Sequence, residues 1–205
     1  MAEEKFMNDN NHNSSRTRSI ALASYGGVLI IILCIGALLV YEIRALSVLI
    51  EPDERGVVLL LNQPTGEILE PGYHFLALGK QVVIIGIGRQ TYVMSADSDV
   101  QPDFIEGKTK DGQKIQVDIS VTYAINQEEV IELYTSWQNR YRDDLVRPAS
   151  RGITRDALTL YAFDEILEKQ EEIETLIFNE LESSLAKNYI ILVGFDLLDV
   201  RPVEK

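Results

Sequence analysis

The chain has 205 residues, of which 46% are hydrophobic, a size that allows one domain core of ordinary dimensions. Its 32 acidic residues outnumber its 19 basic residues, and the formal net charge is -13 at pH 7. This charge argues against a nucleic-acid-binding protein, because contacts to phosphate dominate that affinity and require a basic surface. The single cysteine, Cys34, lies in an apolar run, so neither an intramolecular disulfide nor a cysteine-based zinc site can form.

The N-terminal part of the chain divides into a polar tail and an apolar stretch. Residues 1–18 are too polar to support a core, which predicts a disordered tail. Residues 19–41 carry no charge and exceed the roughly 20 residues that a helix needs to cross the hydrocarbon of a bilayer. This pattern predicts a transmembrane helix. A cleavable signal peptide is the alternative, but the stretch is longer than a typical signal core and no Ala-x-Ala site precedes Glu42.

Charged residues on either side of the apolar stretch indicate its orientation. Lys5, Arg16 and Arg18 precede it, whereas Arg44 and Arg55 follow it. Because positive charge tends to stay in the cytoplasm, this small excess predicts a single-pass protein with a cytoplasmic N-terminus and its domain on the opposite side. A re-entrant hairpin would return the domain to the cytoplasmic side, but its tip usually contains a helix breaker, and the stretch has no proline.

The sequence after the apolar stretch is typical of short antiparallel strands joined by tight turns. Strands are predicted from the apolar patterns at Val57–Leu61, Val82–Ile85 and Gln90–Met94, and turns from Gln63–Gly66 and Pro71–Gly72. The clearest strand is Lys114–Ile125, in which apolar and polar residues alternate. This alternation predicts one buried face and one solvent-exposed face. Asp111–Gly112 is a hairpin signal that pairs this strand with Phe104–Lys110.

From Gln127 onward the period of the apolar residues changes from two to about 3.6, which indicates helices. A short helix is predicted around Glu129–Tyr134, and a second across Tyr141–Tyr161. Pro148 lies in the middle of the second, so we expect a kink or break near Arg147.

Asp164 is positioned to cap a third, amphipathic helix, whose outer face is acidic from Glu168 to Glu182. Its apolar residues at helical spacing are Ile166, Ile173, Leu176, Ile177, Leu181 and Leu185. After it, Ile190–Val200 returns to a strand pattern. Strands, then helices, then one strand predict an α+β domain with an antiparallel sheet and packed helices.

Residues that could carry out chemistry are few. The chain has two histidines, His12 in the tail and His74 beside a turn, and no Gly-x-Ser-x-Gly motif, so His74 is interpreted as structural. Asp97, Asp99 and Asp103 lack the spacing of a calcium-binding loop and are interpreted as a solvated loop. We therefore predict no catalytic residue, no metal site and no cofactor, and the protein is expected not to be an enzyme.

The acidic helix face has two interpretations. The simpler one is a solvated surface. The alternative is a contact between subunits, in which Glu168 and Glu172 of one copy face Arg140, Arg142 or Arg151 of another.

Several short pieces occur in an order and spacing that are hard to obtain by chance. They are Glu54–Val58 shortly after the apolar stretch, Pro71–Phe75, Thr109–Asp118, Val146–Pro148 with Arg151, and Gly194–Phe195 with the strand that follows. Together they resemble the band 7 (SPFH) domain of stomatins, prohibitins, flotillins and the HflK/HflC pair. The resemblance covers residues 48–203.

The resemblance implies a membrane-bound oligomer, often a ring or cage, made of this chain or of related subunits. Such assemblies organise membrane patches or enclose partner membrane proteins, such as an AAA-type quality-control protease. A one-to-one membrane-tethered adaptor that does not self-assemble is the alternative, and a membrane-anchored hydrolase using His74 is a third hypothesis. Family members usually continue into a long coiled coil. No sustained heptads occur in this sequence, so smaller assemblies or a partner subunit are expected if these 205 residues are the whole natural protein.

Overall fold

The computed structural model describes residues 30–38, 47–97 and 102–203. The chain divides into two compact units. The first comprises Met1–Ser47 and Phe75–Ala77, and its described part includes a helix, α1, at residues 30–38. The second comprises Val48–His74 and Leu78–Lys205 and contains the remaining helices and the sheets, except for Ser47 and Phe75, which are end residues of two strands.

The predicted tail, residues 1–18, lies outside the described residues, as does most of the predicted span at 19–41. Helix α1 covers the described portion of that span, and its side chains are exposed. Among the helices that the structure describes, none has both the length and the apolar character needed to traverse a bilayer.

The second unit has the predicted α+β class, with antiparallel sheets and packed helices. Its strands are β1 (Ser47–Ile50), β2 (Glu54–Leu60), β3 (Gln63–Leu69), β4 (Gly72–Phe75), β5 (Lys80–Gly86), β6 (Gln90–Met94), β7 (Ile105–Lys108), β8 (Lys114–Ile125) and β9 (Ile190–Pro202). Its helices are α2 (Val130–Trp137), α3 (Arg147–Leu158), α4 (Phe163–Glu168) and α5 (Gln170–Ala186). A 3₁₀ turn at Gln138–Arg140 and a π-helical segment at Arg142–Val146 join α2 to α3.

The first sheet has the order β3-β2-β5, and β1 pairs with β4. Gly56 on β2 lies where these strands pack closely, because a Cβ there would come within 2.9 Å of Val82 Cγ1 and 3.1 Å of Ile50 Cδ1. Gly56 therefore serves close strand packing, because the Cβ of any larger residue would press against these side chains.

The predicted turn at Gln63–Gly66 is wrong. Strand β3 runs through these residues, and the chain reverses at Leu61 and Asn62, which have φ values of 52° and 64°. Two consecutive positive φ values are typical of a type I′ hairpin turn. Pro64 is tolerated because β3 is an edge strand, and Gly66 lies where the β2–β3 register is irregular.

The second sheet is built around β8, which occupies the predicted residues. One edge of β8 pairs with β9, and the other pairs with β6 and then β7. The predicted pairing across Asp111–Gly112 is confirmed, but the turn is not a two-residue hairpin. Thr109 N donates to Gln113 O at 3.0 Å, and only Gly112 within this loop has a positive φ, of 84°. This is a three-residue loop with a glycine bulge.

The polar face of β8 is less exposed than the alternation predicts. Asp118 and Ser120 are both buried. Asp118 accepts hydrogen bonds from Ser95 Oγ at 2.9 Å, Ala96 N at 3.1 Å and Arg201 Nη2 at 2.7 Å. Because β8 has partners on both edges, these neighbouring groups cover the centre of its polar face.

The predicted break near Arg147 is present: the π-helical segment Arg142–Val146 ends there and the α-helix α3 begins. The Arg147 amide donates to Arg142 O, five residues earlier, and α3 begins with Pro148 in its first turn. A π-turn accommodates proline here because the ordinary helical donor at Pro148 does not exist.

The third predicted helix is two helices, α4 and α5, separated by Lys169. Asp164 is not the cap. Helix α4 begins after Ala162, whose amide donates to Glu165 Oε2 at 2.9 Å, so Glu165 satisfies the free end of the helix. Leu176, predicted to be buried, is exposed, whereas the other five predicted apolar positions are buried against the core that α3, α5 and the second sheet form.

Candidate assembly surface

Asp103, in the loop before β7, is held by three side chains. Arg147 Nε donates to Asp103 Oδ2 at 3.0 Å, Arg151 Nη1 donates to Asp103 Oδ1 at 2.8 Å, and the Tyr92 hydroxyl donates to the same carboxylate. The hydrogen bonds from Arg147 are the main reason that the pKa of Asp103 lies below its usual range. The predicted solvated loop is therefore wrong at Asp103, whereas Asp97 is exposed and Asp99 lies outside the described residues.

The Asp103 cluster joins α3 to the second sheet. Arg151 Nη2 also donates to Phe104 O at 2.9 Å, and its side chain is 25% exposed. Arg151 is one of the predicted subunit contacts. Its hydrogen-bonding groups are used within the domain, which leaves it less available to a second copy.

The other two predicted basic contacts, Arg140 and Arg142, are on the surface. Arg140 pairs with Asp144 at 3.2 Å and Arg142 pairs with Asp143 at 3.2 Å. The Arg142 guanidinium also lies 5.7 Å from the centre of the Tyr92 ring. Each predicted basic contact thus has a carboxylate of its own chain beside it. Exposed pairs of this kind are weak, typically about 0–1 kcal/mol, so a partner could replace them.

The predicted acidic contacts lie at the junction of α4 and α5. Glu168 ends α4, and Glu172 is in the first turn of α5, where the positive end of the helix dipole favours a carboxylate. Both are exposed, and Glu172 accepts a hydrogen bond from the Tyr161 hydroxyl at 3.4 Å. Leu167 beside them is 59% exposed, which makes this junction an apolar point within an acidic surface.

His74, the residue considered for catalysis, contacts the backbone. Its Nε2 lies 2.7 Å from Glu70 O, across the bend at Pro71. Within residues 30–38, 47–97 and 102–203, no group of His, Cys, Asp and Glu side chains could hold a metal ion. The geometry at His74 is that of a turn-stabilising contact.

Sequence reasoning missed both the Asp103 cluster and the exposed Leu167. The cluster joins residues 44 and 48 positions apart, a separation that no local pattern reveals. The helical spacing puts Ile166 on the apolar face and leaves Leu167 off it, but it does not show that Leu167 forms an exposed apolar point on the surface.

The fold and order of elements agree with a comparison to protein-family models. The model of the SPFH domain / Band 7 family matches residues 48–205. The chain belongs to this family. The resemblance found in the sequence is therefore confirmed. SPFH proteins are membrane-associated scaffolds that generally oligomerise and generally lack enzymatic activity. Among curated proteins, no relative matches this chain.

Proposed function

We propose that this SPFH protein is a membrane-anchored oligomeric scaffold. It organises a membrane patch, or encloses and regulates partner membrane proteins such as an AAA-type quality-control protease. The family match over residues 48–205 is the observation that carries the proposal. The oligomer consists of this chain, alone or with related subunits.

The anchor is the uncharged stretch at residues 19–41, which is long enough to cross a bilayer as a helix. Holding the domain at a membrane raises its effective concentration, so modest contacts between neighbouring copies are sufficient for assembly. In this role the protein acts through contacts between copies, and no catalytic group is needed. The contacts in this proposal are Glu168 and Glu172 on one copy against Arg140, Arg142 and, less readily, Arg151 on the next.

We propose a single-pass topology with a cytoplasmic N-terminus, which rests on the slight excess of positive charge before the stretch. Leu61 is 87% exposed and offers a labelling position in the domain. In sealed vesicles whose outer surface is the cytoplasmic face of the membrane, a Leu61→Cys variant in a Cys34→Ser background should react with a membrane-impermeant maleimide only after permeabilisation. Labelling of the sealed vesicles would contradict this topology.

The scaffold is tested by co-expressing two copies of the full chain that carry different tags. After extraction in mild detergent, capture of one tag should recover the other copy. A carbonate wash of the membranes should leave both copies in the pellet. Recovery of a partner at fixed stoichiometry without the second tagged copy would favour the one-to-one adaptor and overturn the scaffold.

A further inference from the structure

A cavity of about 480 Å³ lies where β7, the start of β8, the end of α3 and the end of β9 meet. Its lining surface is mostly apolar. The residues that line it are Glu106, Gly107, Lys108, Lys114, Ile115, Arg155, Thr159 and Val203. Its volume lies within the roughly 300–1,000 Å³ typical of ligand pockets, and it is large enough for an apolar side chain.

Cations are the main charged groups of this cavity. Lys108 and Lys114 are direct cross-strand partners in the β7–β8 register, an arrangement in which like charges repel. Neither lysine forms an ion pair with any residue that the structure describes. Arg155 donates only to a backbone oxygen, Glu106 O, at 3.0 Å. The cavity is thus mostly apolar inside and carries three cations against one carboxylate, Glu106, with which none of them forms an ion pair among the described residues.

The α4–α5 junction has the opposite character. Leu167 is exposed and stands beside Glu168 and Glu171, which are also exposed. The one cation of this junction, Lys169, already pairs with Glu165 at 3.6 Å. Within the described ranges, neither glutamate forms an ion pair. The exposed leucine matches the apolar interior of the cavity. The unpaired carboxylates beside the leucine match the unpaired cations of the cavity in charge.

We propose that the α4–α5 junction of one copy docks into the cavity of a second copy. Leu167 enters the cavity, and Glu168 and Glu171 face Lys108, Lys114 and Arg155. This inference rests on the proposed self-assembly and names its interface. It transfers the basic half of the contact from Arg140, Arg142 and Arg151, which already have carboxylate partners, to cations that lack them. On the acidic half it keeps Glu168 and replaces Glu172 by Glu171.

The proposed contact is heterologous, because the docking junction and the cavity are different surfaces. Each copy therefore offers one of each, and the contact can repeat from copy to copy. Repetition gives a ring if the rotation closes and a filament if it does not.

The first test uses variants of the full-length chain in mild detergent, with particle mass measured over a concentration series. Lys108→Glu/Lys114→Glu reverses the charge of the cavity, and Leu167→Glu places a charge at the docking leucine. Each should raise the concentration needed for half-assembly by about tenfold or more. Arg89→Glu is the matched control, since Arg89 is exposed and outside both surfaces, and it should assemble like the wild type.

A second variant fills the cavity without changing any charge. A Cβ at Gly107 would make ordinary contacts, 3.6 Å and 3.8 Å, with Ile115 side-chain atoms, so Gly107→Leu is compatible with the backbone. The variant should keep the thermal unfolding transition of the wild type and lose assembly. A folded Gly107→Leu protein that assembles normally would overturn the inference.

Mixing experiments distinguish this interface from others. A cavity-defective chain (K108E/K114E) retains its docking junction, and a junction-defective chain (L167E) retains its cavity, so the two should form 1:1 dimers and stop. A single chain that carries all four substitutions K108E, K114E, E168K and E171K exchanges the charges of the cavity and the junction. This chain should assemble again, because opposite charges still face each other across the contact. If the wild type assembles and every one of these variants assembles equally well, the proposed interface is wrong, but the scaffold proposal still stands. A wild type that stays monomeric would overturn both.

Discussion

One carboxylate, that of Asp103, connects three separate parts of the domain. It receives hydrogen bonds from Tyr92 on β6 and from Arg147 and Arg151 on α3. Its side chain is largely shielded from water, so losing its charge leaves two guanidinium groups short of a partner. Asp103 therefore determines how firmly α3 is attached to the sheet.

We expect Asp103→Asn to lower the free energy of unfolding by about 1–3 kcal/mol at pH 7, with the partial exposure of Arg147 favouring the lower end. The folded-state pKa of Asp103 is depressed, so its contribution is present above the unfolded pKa of about 3.9 and is lost as the pH falls through the folded pKa. Denaturant unfolding followed by Trp137 fluorescence at several pH values measures both effects. Asp97→Asn, at an exposed position, is the control; an equal loss in both variants would contradict the role of Asp103.

Leu61 combines a left-handed backbone with an exposed side chain. Its φ is 52°, a region that costs most residues about 1–2 kcal/mol and that asparagine tolerates better. We expect Leu61→Asn to raise the free energy of unfolding by about 0.5–1 kcal/mol. Leu60→Asn, on the neighbouring strand residue, should not stabilise the domain, because asparagine is unfavourable in strands. Destabilisation by Leu61→Asn would show that the leucine has a role that its exposure does not reveal.

At the level of elements, periodicity alone locates most of the secondary structure. Strands β6 and β8 occupy the residues that their alternation predicts, and β9 extends the predicted strand by two residues to Pro202. Turn chemistry is less reliable: Pro64 and Gly66 look like turn residues, but they occupy an edge strand with an irregular register. The true turn, at Leu61 and Asn62, has only a weak compositional signal, because asparagine tolerates a positive φ whereas leucine is disfavoured there.

Substitutions at two glycines test whether close packing around β2 excludes a side chain at Gly56. Gly56→Ala should lower the free energy of unfolding by about 1–3 kcal/mol, because the new Cβ would contact Leu69 Cβ at 3.1 Å as well as Val82 and Ile50. Gly152→Ala, the same change inside α3 where nothing lies within 4 Å, should raise it by about 0.5–1 kcal/mol. Thermal or denaturant unfolding of the two variants measures both. Equal effects of the same sign would contradict the packing argument at Gly56.

For the whole molecule, sequence reasoning gives the family and fold class but not the surfaces that carry function. Arg151 illustrates the reason: its sequence context suggests a free basic residue, whereas folding places it against Asp103, 48 positions away. The cavity beside Lys114 likewise depends on four elements that meet only in three dimensions. Charge composition indicates which groups exist, and tertiary pairing decides which of them remain available to a partner.

Self-assembly at a membrane is tested most directly by the mass of the full-length protein in mild detergent, measured by light scattering with the detergent contribution subtracted. The chain has a mass of 23.1 kDa, and the account predicts a particle of many times that mass that persists on dilution. A protein mass of 23.1 kDa over a wide range of concentrations would contradict it.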